Sequence, residues 1–258
     1  MDSNQSAGMT QSLCKAFDIL ACFSPETPQL RVSDFTKRLN ITQSNISRIL
    51  KTMVAYEFVS WDEETGYYRL GTRIITLSSI ALNSIELRKQ ALPELFLLEQ
   101  EYGVGANLAI RKGTGMYYLA HVDSRSSPRM YTMIGYTNPL HCTAIGKVLL
   151  ASLSDEEIKG IIREAELPAF TRNTIISESL LMEQIGKIRL LGYATEYEEH
   201  ALGSACIAAP IRDCTGKVIA GLSVSGQYSQ CKLFEREDEV ASIVINSANI
   251  ISHKMGYF

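Results

Sequence analysis

The chain has 258 residues, of which 46% are hydrophobic and 21% charged, with a formal net charge of −3. These are ordinary values for a globular protein, and the length is enough for two domains with at least one sizeable core. No run of about 18 apolar residues occurs, which excludes a membrane-spanning helix.

Residues 1–10 are polar, lack the basic-then-apolar pattern of a signal peptide, and read as a disordered tail. Leu13, Ala16, Phe17, Leu20 and Phe23 recur at three-to-four-residue intervals, predicting an amphipathic helix that closes a small core. Ser33 to Met53 reads as two short helices around a tight turn. Ser33 caps the first, Phe35 and Leu39 give it an apolar stripe, and Asn40 with Ile41 makes the turn. Thr42 caps the second, whose Ile46, Ile49, Leu50 and Met53 share one face. Its other side carries Gln43, Ser44, Asn45, Ser47, Arg48 and Lys51, groups able to meet base edges and phosphates in a DNA major groove. Taken alone, the helix start is also explained by capping. Two β-rich runs, 58–61 and 67–70, follow around the turn 62–66 and predict a hairpin, the wing of a winged helix-turn-helix over 11–71. Residues 31–61 hold five basic groups against two acidic, a local +3 in an acidic chain, as phosphate contact requires.

A helix opening at Thr72, with Ile75, Ser78, Ser79, Leu82 and Ile85 on one face, runs to about Lys89 and serves as a linker over 72–90. Pro93 sits early in a further helix that ends at Gly103. The second domain, 91–258, mixes strands and helices. Ala106–Arg111 and Met116–Val122 read as strands around Lys112–Gly115, and Arg129–Ile134 as a third. Thr143–Leu153 is a helix, Ser154 and Glu157 form a capping box for the next, and Ser177–Leu191 is another, ended by Gly192. Cys206–Ile211 and Val218–Ser225 flank the turn 213–216, and a final helix spans about Phe234–Lys254. This order predicts an α+β chain whose second domain has a largely antiparallel sheet with helices on its faces. The six cysteines form no Cys-x-x-Cys pair, which argues against structural zinc or a disulfide framework and fits a reducing cytoplasm.

Six segments in this order resemble the IclR family of bacterial transcriptional regulators. They are Thr-Gln-Ser-Asn-Ile-Ser-Arg-Ile-Leu (42–50), Glu-Thr-Gly-Tyr-Tyr-Arg-Leu-Gly (64–71), Asn-Pro-Leu-His-Cys-Thr-Ala-Ile-Gly-Lys-Val-Leu-Leu-Ala (138–151), Gly-Tyr-Ala-Thr-Glu-Tyr-Glu-Glu (192–199), Cys-Ile-Ala-Ala-Pro-Ile (206–211) and Gly-Leu-Ser-Val-Ser-Gly (221–226). The resemblance implies a winged helix, a linker helix used in dimerisation, and a GAF-like effector-binding domain. It further implies dimers or tetramers, and repression of an operator relieved by a small metabolite, often a carboxylate. Within the family, the run from Arg129 to Leu150 is most similar to regulators of 2-keto-3-deoxygluconate breakdown. Tyr67 and Arg69 of the wing, with Arg73, are expected on the DNA backbone beside the Thr42–Lys51 helix. The family's effector site maps onto Met130, Ala144, Ile145, Glu196, Cys206, Ser223 and Ser225. Free amides at Ala144 and Ile145 suit a carboxylate, and Ser223 and Ser225 share one strand face. Glu196 stands where a shorter Asp is common, which implies a smaller or differently charged pocket.

Two other classes compete. His141, Cys142, Cys206, Glu196 and His200 offer the ingredients of a Cys-His hydrolase, but their spacing carries no motif, and His200 lies in a polar run expected to be solvated. A sensor without DNA contact would lack the groove-compatible groups of 42–51. The chain therefore reads as a non-enzymatic regulator needing no cofactor or metal.

Overall fold

The computed structural model describes residues 9–125, 134–227 and 235–258. The chain divides into two compact units, Met1–Ser84 and Ile85–Phe258.

The first unit comprises α1 (Gln11–Ala21), β1 (Gln29–Leu30), α2 (Val32–Leu39), α3 (Gln43–Ala55), β2 (Val59–Trp61), β3 (Tyr68–Leu70) and α4 (Thr72–Asn83). The three strands form an antiparallel sheet in the order β1-β3-β2; β1 was not anticipated, being two residues long. Ile19, Leu30, Phe35, Ile46, Leu50 and Val59 fill the core. On α1 the predicted stripe is turned. Leu13 and Phe17 are 53% and 59% exposed, while Ile19 and Cys22 are buried with Ala16, Leu20 and Phe23 around them. Apolar residues occupy two adjacent sides of this helix, and α2 and α3 cover only one. The start of α2 also differs from the Ser33 cap expected. Arg31 is the cap residue, and its N–H donates to Asp34 Oδ2 at 2.8 Å. Asn40 ends α2 in the left-handed conformation (φ +52°) and so turns the chain into α3. Thr42 occupies the cap position of α3, but its hydroxyl lies 3.5 Å from Ser44 Oγ and bonds no helix amide.

The linker segment is not one helix. It breaks at Ser84, and α5 (Glu86–Tyr102) begins the second unit. Pro93 lies inside α5 rather than early in a new helix. Its ring is exposed, so water can reach the Lys89 carbonyl that loses its amide donor. Gly103 closes α5 with φ +65°.

The second unit continues with β4 (Gly105–Lys112), β5 (Gly115–Val122), β6 (Thr137–Pro139), α6 (Ala144–Ala151), α7 (Asp155–Ala165), α8 (Glu178–Leu191), β7 (Ala194–Tyr197), β8 (Ser204–Arg212), β9 (Val218–Gln227) and α9 (Glu237–Lys254). The strands make one antiparallel sheet in the order β6-β5-β4-β9-β8-β7. Residues 129–133 of the predicted third strand, and Phe234 at the predicted start of the last helix, lie outside the described residues; β6 follows instead at Thr137–Pro139. Leu108, Ile207, Leu222 and Val224 face α5 and α9 through Leu95, Leu98, Val244 and Ile251. Ala109, Met116, Ala194 and Ala208 face the other way, against Ile145 and Val148 of α6 and Leu181 and Ile185 of α8. Helix α6 sits tightly on the sheet. A Cβ on Gly221 of β9 would stand 2.7 Å from Ile145 Cγ2, so glycine is required there for the approach.

Candidate functional site

In the first unit, α3 buries Ile46, Leu50 and Met53 and turns its polar side outward. Thr42, Gln43, Ser44, Arg48 and Lys51 are exposed, and Asn45 and Ser47 are half-buried at the edge of that face. None of the described ion pairs involves Arg48 or Lys51, so both cations remain available to an external anion. The wing is different. Arg69 donates to Gln29 Oε1 at 3.1 and 2.7 Å and stands 3.9 Å from Asp62, so its guanidinium is partly spent holding β1 to β3. Tyr67 is half-buried with the Arg31 guanidinium 4.5 Å above its ring. Arg73 is exposed. Trp61, the chain's single tryptophan, stacks on Tyr68 beside Ser47 and Lys51, around a cavity of about 330 Å³.

In the second unit, strand register assembles the polar side chains. His121 pairs with Asn107, Asn107 with Ser223, and Ser223 with Ala208; one step along, Gly105 pairs with Ser225, Ser225 with Cys206, and Cys206 with Glu196. Side chains two apart share a face, so these two rows project to the side covered by α6 and α8. Ser223 and Ser225 are 3% and 6% exposed, so this strand face is turned away from solvent. Asn107 donates to both hydroxyls, at 3.3 and 3.1 Å, and its Oδ1 lies 2.7 Å from His121 Nδ1.

Helix α6 begins against this face. The Thr143 hydroxyl accepts from Gly146 N–H, leaving the Ala144 and Ile145 amides without an acceptor among the described residues. The side chains of Ala144 and Ile145 are buried in the core, which leaves only their amides as free polar groups. Glu196 is occupied too: its Oε1 accepts from the Glu199 and His200 amides at 2.7 and 3.2 Å. Burial raises its carboxyl above the ordinary range, although those amides pull the other way. Met130 lies outside the described residues. A cavity of about 360 Å³ beside α7, lined by Thr137, His141, Ile161 and Leu167 among others, includes none of these side chains.

Beneath the site lies a pair that sequence reading missed. Lys147, 1% exposed on α6, donates to Glu199 Oε1 at 2.6 Å and to Gln184 Oε1 at 3.1 Å. Glu199 Oε2 is buried with no hydrogen-bond partner among the described residues. The segment around His200 is therefore not solvated as expected: Glu196 and Glu199 are buried because the turn after β7 folds back under α6. Catalysis by thiol and imidazole finds no support here. Burial pushes Cys142 up to about 12 and raises Cys206 well above the ordinary thiol value, so both stay protonated, and burial lowers His141 and His200. His141 Nε2 meets the Pro168 carbonyl rather than a thiol.

Comparison with known proteins settles the family. Residues 12–63 match the IclR helix-turn-helix domain, and residues 79–253 match the family described as bacterial transcriptional regulator IclR C-terminal. The chain belongs to the IclR family. It is 33% identical over 260 residues to the HTH-type transcriptional regulator KdgR of Dickeya chrysanthemi, covering 99% of this chain and 83% of that protein. It is 30% identical over 249 residues to the HTH-type transcriptional repressor AllR of Escherichia coli K12, covering 95% and 90%. Among solved structures, the Thermotoga maritima IclR superimposes with a TM-score of 0.81 at 29% identity, over 96% of this chain and 99% of that one. This IclR-type chain is thus a helix-turn-helix transcriptional regulator with a C-terminal effector-binding domain. No helix among the described residues is long and apolar enough to cross a membrane.

Of the residues singled out beforehand, those on α3 form one outward surface, and Glu196, Cys206, Ser223 and Ser225 share one sheet face. Asn107, His121, Lys147 and Glu199 join that neighbourhood and were not foreseen. Asn107 had a signal, a polar residue set within the apolar part of its strand; the others had none, since only register and helix packing bring them in.

Proposed function

We propose that the regulator is a repressor that binds operator DNA as a dimer through α3 and is released by a small carboxylate held between the start of α6 and the Ser223–Ser225 strand. The observation that carries this is the donor set on the α6 face: two buried serine hydroxyls and two acceptor-free amides at the positive end of a helix dipole. Four donors on the same side of the sheet suit a keto acid or sugar acid.

On the DNA side, Gln43, Ser44, Asn45 and Ser47 read bases, and Arg48 and Lys51 meet bases or phosphates. Tyr67, Arg69 and Arg73 contribute backbone contacts, with Arg73 the freest of the three. Helix α4 buries none of its residues and exposes Ile75, Leu77 and Ile80 around its circumference, apolar surface suited to pairing with a second copy, with a tetramer as the further assembly. Two α3 helices then enter successive major grooves of a near-palindromic site. The carboxylate shifts the population toward a dimer whose helix spacing no longer fits. A cytoplasmic setting follows from DNA as partner.

The test is a gel-shift titration with the DNA upstream of the regulator's own gene. Ser223→Ala with Ser225→Ala should bind that DNA as the unaltered protein does, yet fail to release it when 2-keto acids or sugar acids are added. Release at the same ligand concentration would displace the site.

A further inference from the structure

The hydrogen-bond polarity around Asn107 adds a level of detail to the effector site. Asn107 is 4% exposed, and its one amide group touches three side chains. Nδ2 donates to Ser223 Oγ and Ser225 Oγ, and Oδ1 lies 2.7 Å from His121 Nδ1. An amide has two distinct ends, and the oxygen end faces His121 Nδ1; because Asp123 Oδ1 faces the other ring nitrogen, both partners are acceptors, and the ring orients the amide when it carries a hydrogen on each nitrogen. The nitrogen end is thereby committed to the serines. Each serine oxygen accepts from Asn107, so its own hydrogen must go elsewhere, and neither hydroxyl has an acceptor among the described residues. The second ring nitrogen of His121 lies 2.9 Å from Asp123 Oδ1, which fixes the ring from its far side.

We infer that Asn107, oriented by His121, is a positioning residue that aims both serine hydroxyl hydrogens at the effector and so selects a carboxylate over its uncharged amide. This rests on the site proposed above. The physical reason is the cost of a buried mismatch. An incoming carboxylate accepts both O–H groups, whereas the nitrogen end of a primary amide brings donors against donors and leaves buried hydrogens unpaired. Without the Asn107 bonds, the serines could rotate and either accept or donate, and the discrimination would fall.

The experiment is calorimetric titration of the full-length protein with pyruvate, gluconate and 2-keto-3-deoxygluconate, and with pyruvamide and gluconamide. The readout is the acid-to-amide affinity ratio. Asn107→Asp keeps the shape but offers only acceptors, so the serines donate to it and turn their lone pairs to the ligand. Acid affinity should fall about 10- to 100-fold, as for one or two lost charge-assisted hydrogen bonds, with the amide weakened far less. His121→Leu should reduce the ratio by freeing the amide to flip, and His121→Gln, which still donates to Oδ1, should restore it. That pair carries the test if Asn107→Asp fails to fold by circular dichroism. A purely structural role would weaken acid and amide alike and leave the ratio unmoved, which would overturn the inference. So would a protein to which none of the three acids binds. If the serine double variant keeps its response to acid, the site itself is wrong; if that variant is blind while the ratio ignores Asn107 and His121, only the relay falls.

Discussion

Replacing Lys147 with Met tests the buried ion pair under the proposed effector site. The ammonium lies 2.6 Å from Glu199 Oε1, a separation worth roughly 6 kcal/mol of attraction at an effective dielectric of about 20. Desolvation of two ions offsets most of that, so the intact pair adds little net stability. Removing one partner is another matter. Glu199 Oε2 has no partner among the described residues, and Lys147→Met removes the ammonium from Oε1, leaving Gln184 to repack against a methyl group. Breaking a buried pair in this way costs about 3–5 kcal/mol. For a unit of this size that is a fall of roughly 6–20 °C in melting temperature. The loss has a predictable pH dependence. Burial already raises the Glu199 carboxyl, and Lys147 is the main influence lowering it, so the variant raises it further. A group raised in the folded state stabilises below its unfolded pKa of about 4.3 and loses that contribution as pH rises through the folded value. The deficit against the unaltered protein should therefore be smaller near pH 5 than at pH 8. Circular dichroism melts at the two pH values provide the measurement. The double variant Lys147→Met with Glu199→Leu should recover most of the loss, because no charge is left unpaired. A single variant that melts with the unaltered protein, or a double variant no better than the single, would refute this account.

The other expectations are simpler to state. Arg48→Ala should weaken binding to the upstream DNA by about 1–3 kcal/mol if the guanidinium makes a bidentate base contact. Gel shift reads it, with Trp61 fluorescence as an intrinsic probe, and unaltered affinity would remove Arg48 from the interface. Lys51→Gln should reduce the slope of log affinity against log salt by about 1 if it meets a phosphate, and an unchanged slope would argue otherwise. Gly221→Ala should drive a methyl into Ile145 Cγ2, a stiff β-branched group, and cost about 1–3 kcal/mol by overpacking. Thermal melts check this, and adding Ile145→Ala should return part of the loss.

Local order made much of this protein readable from residues alone. The Phe35 to Met53 periodicity, the hairpin around 62–66, the Ser154–Glu157 capping box and the Gly103 and Gly192 helix ends each depend on neighbours within a few positions. The Ser154 amide and hydroxyl do meet Glu157 Oε2, at 2.9 and 2.8 Å. Misreadings fell where a choice between equivalent local options was made elsewhere in the chain. Leu13 and Phe17 are as apolar as Ile19, and only the placement of α2 and α3 decides which side of α1 is covered. Strand β7 is too short to declare itself, yet it presents Glu196 across from Cys206.

What the sequence by itself determined is most of the segments, the polar outward side of α3, and a family pattern that points to the serine strand and the α6 start. Tertiary structure alone decided their company. Residues 107 and 223 lie 116 positions apart, and no periodicity links them; antiparallel register does, placing an amide against two hydroxyls. Lys147 reads as a surface cation until the fold seals it against Glu199. Burial and partner choice are properties of the packed sheet and helix, set by which faces have somewhere to go, and that is information no local stretch contains.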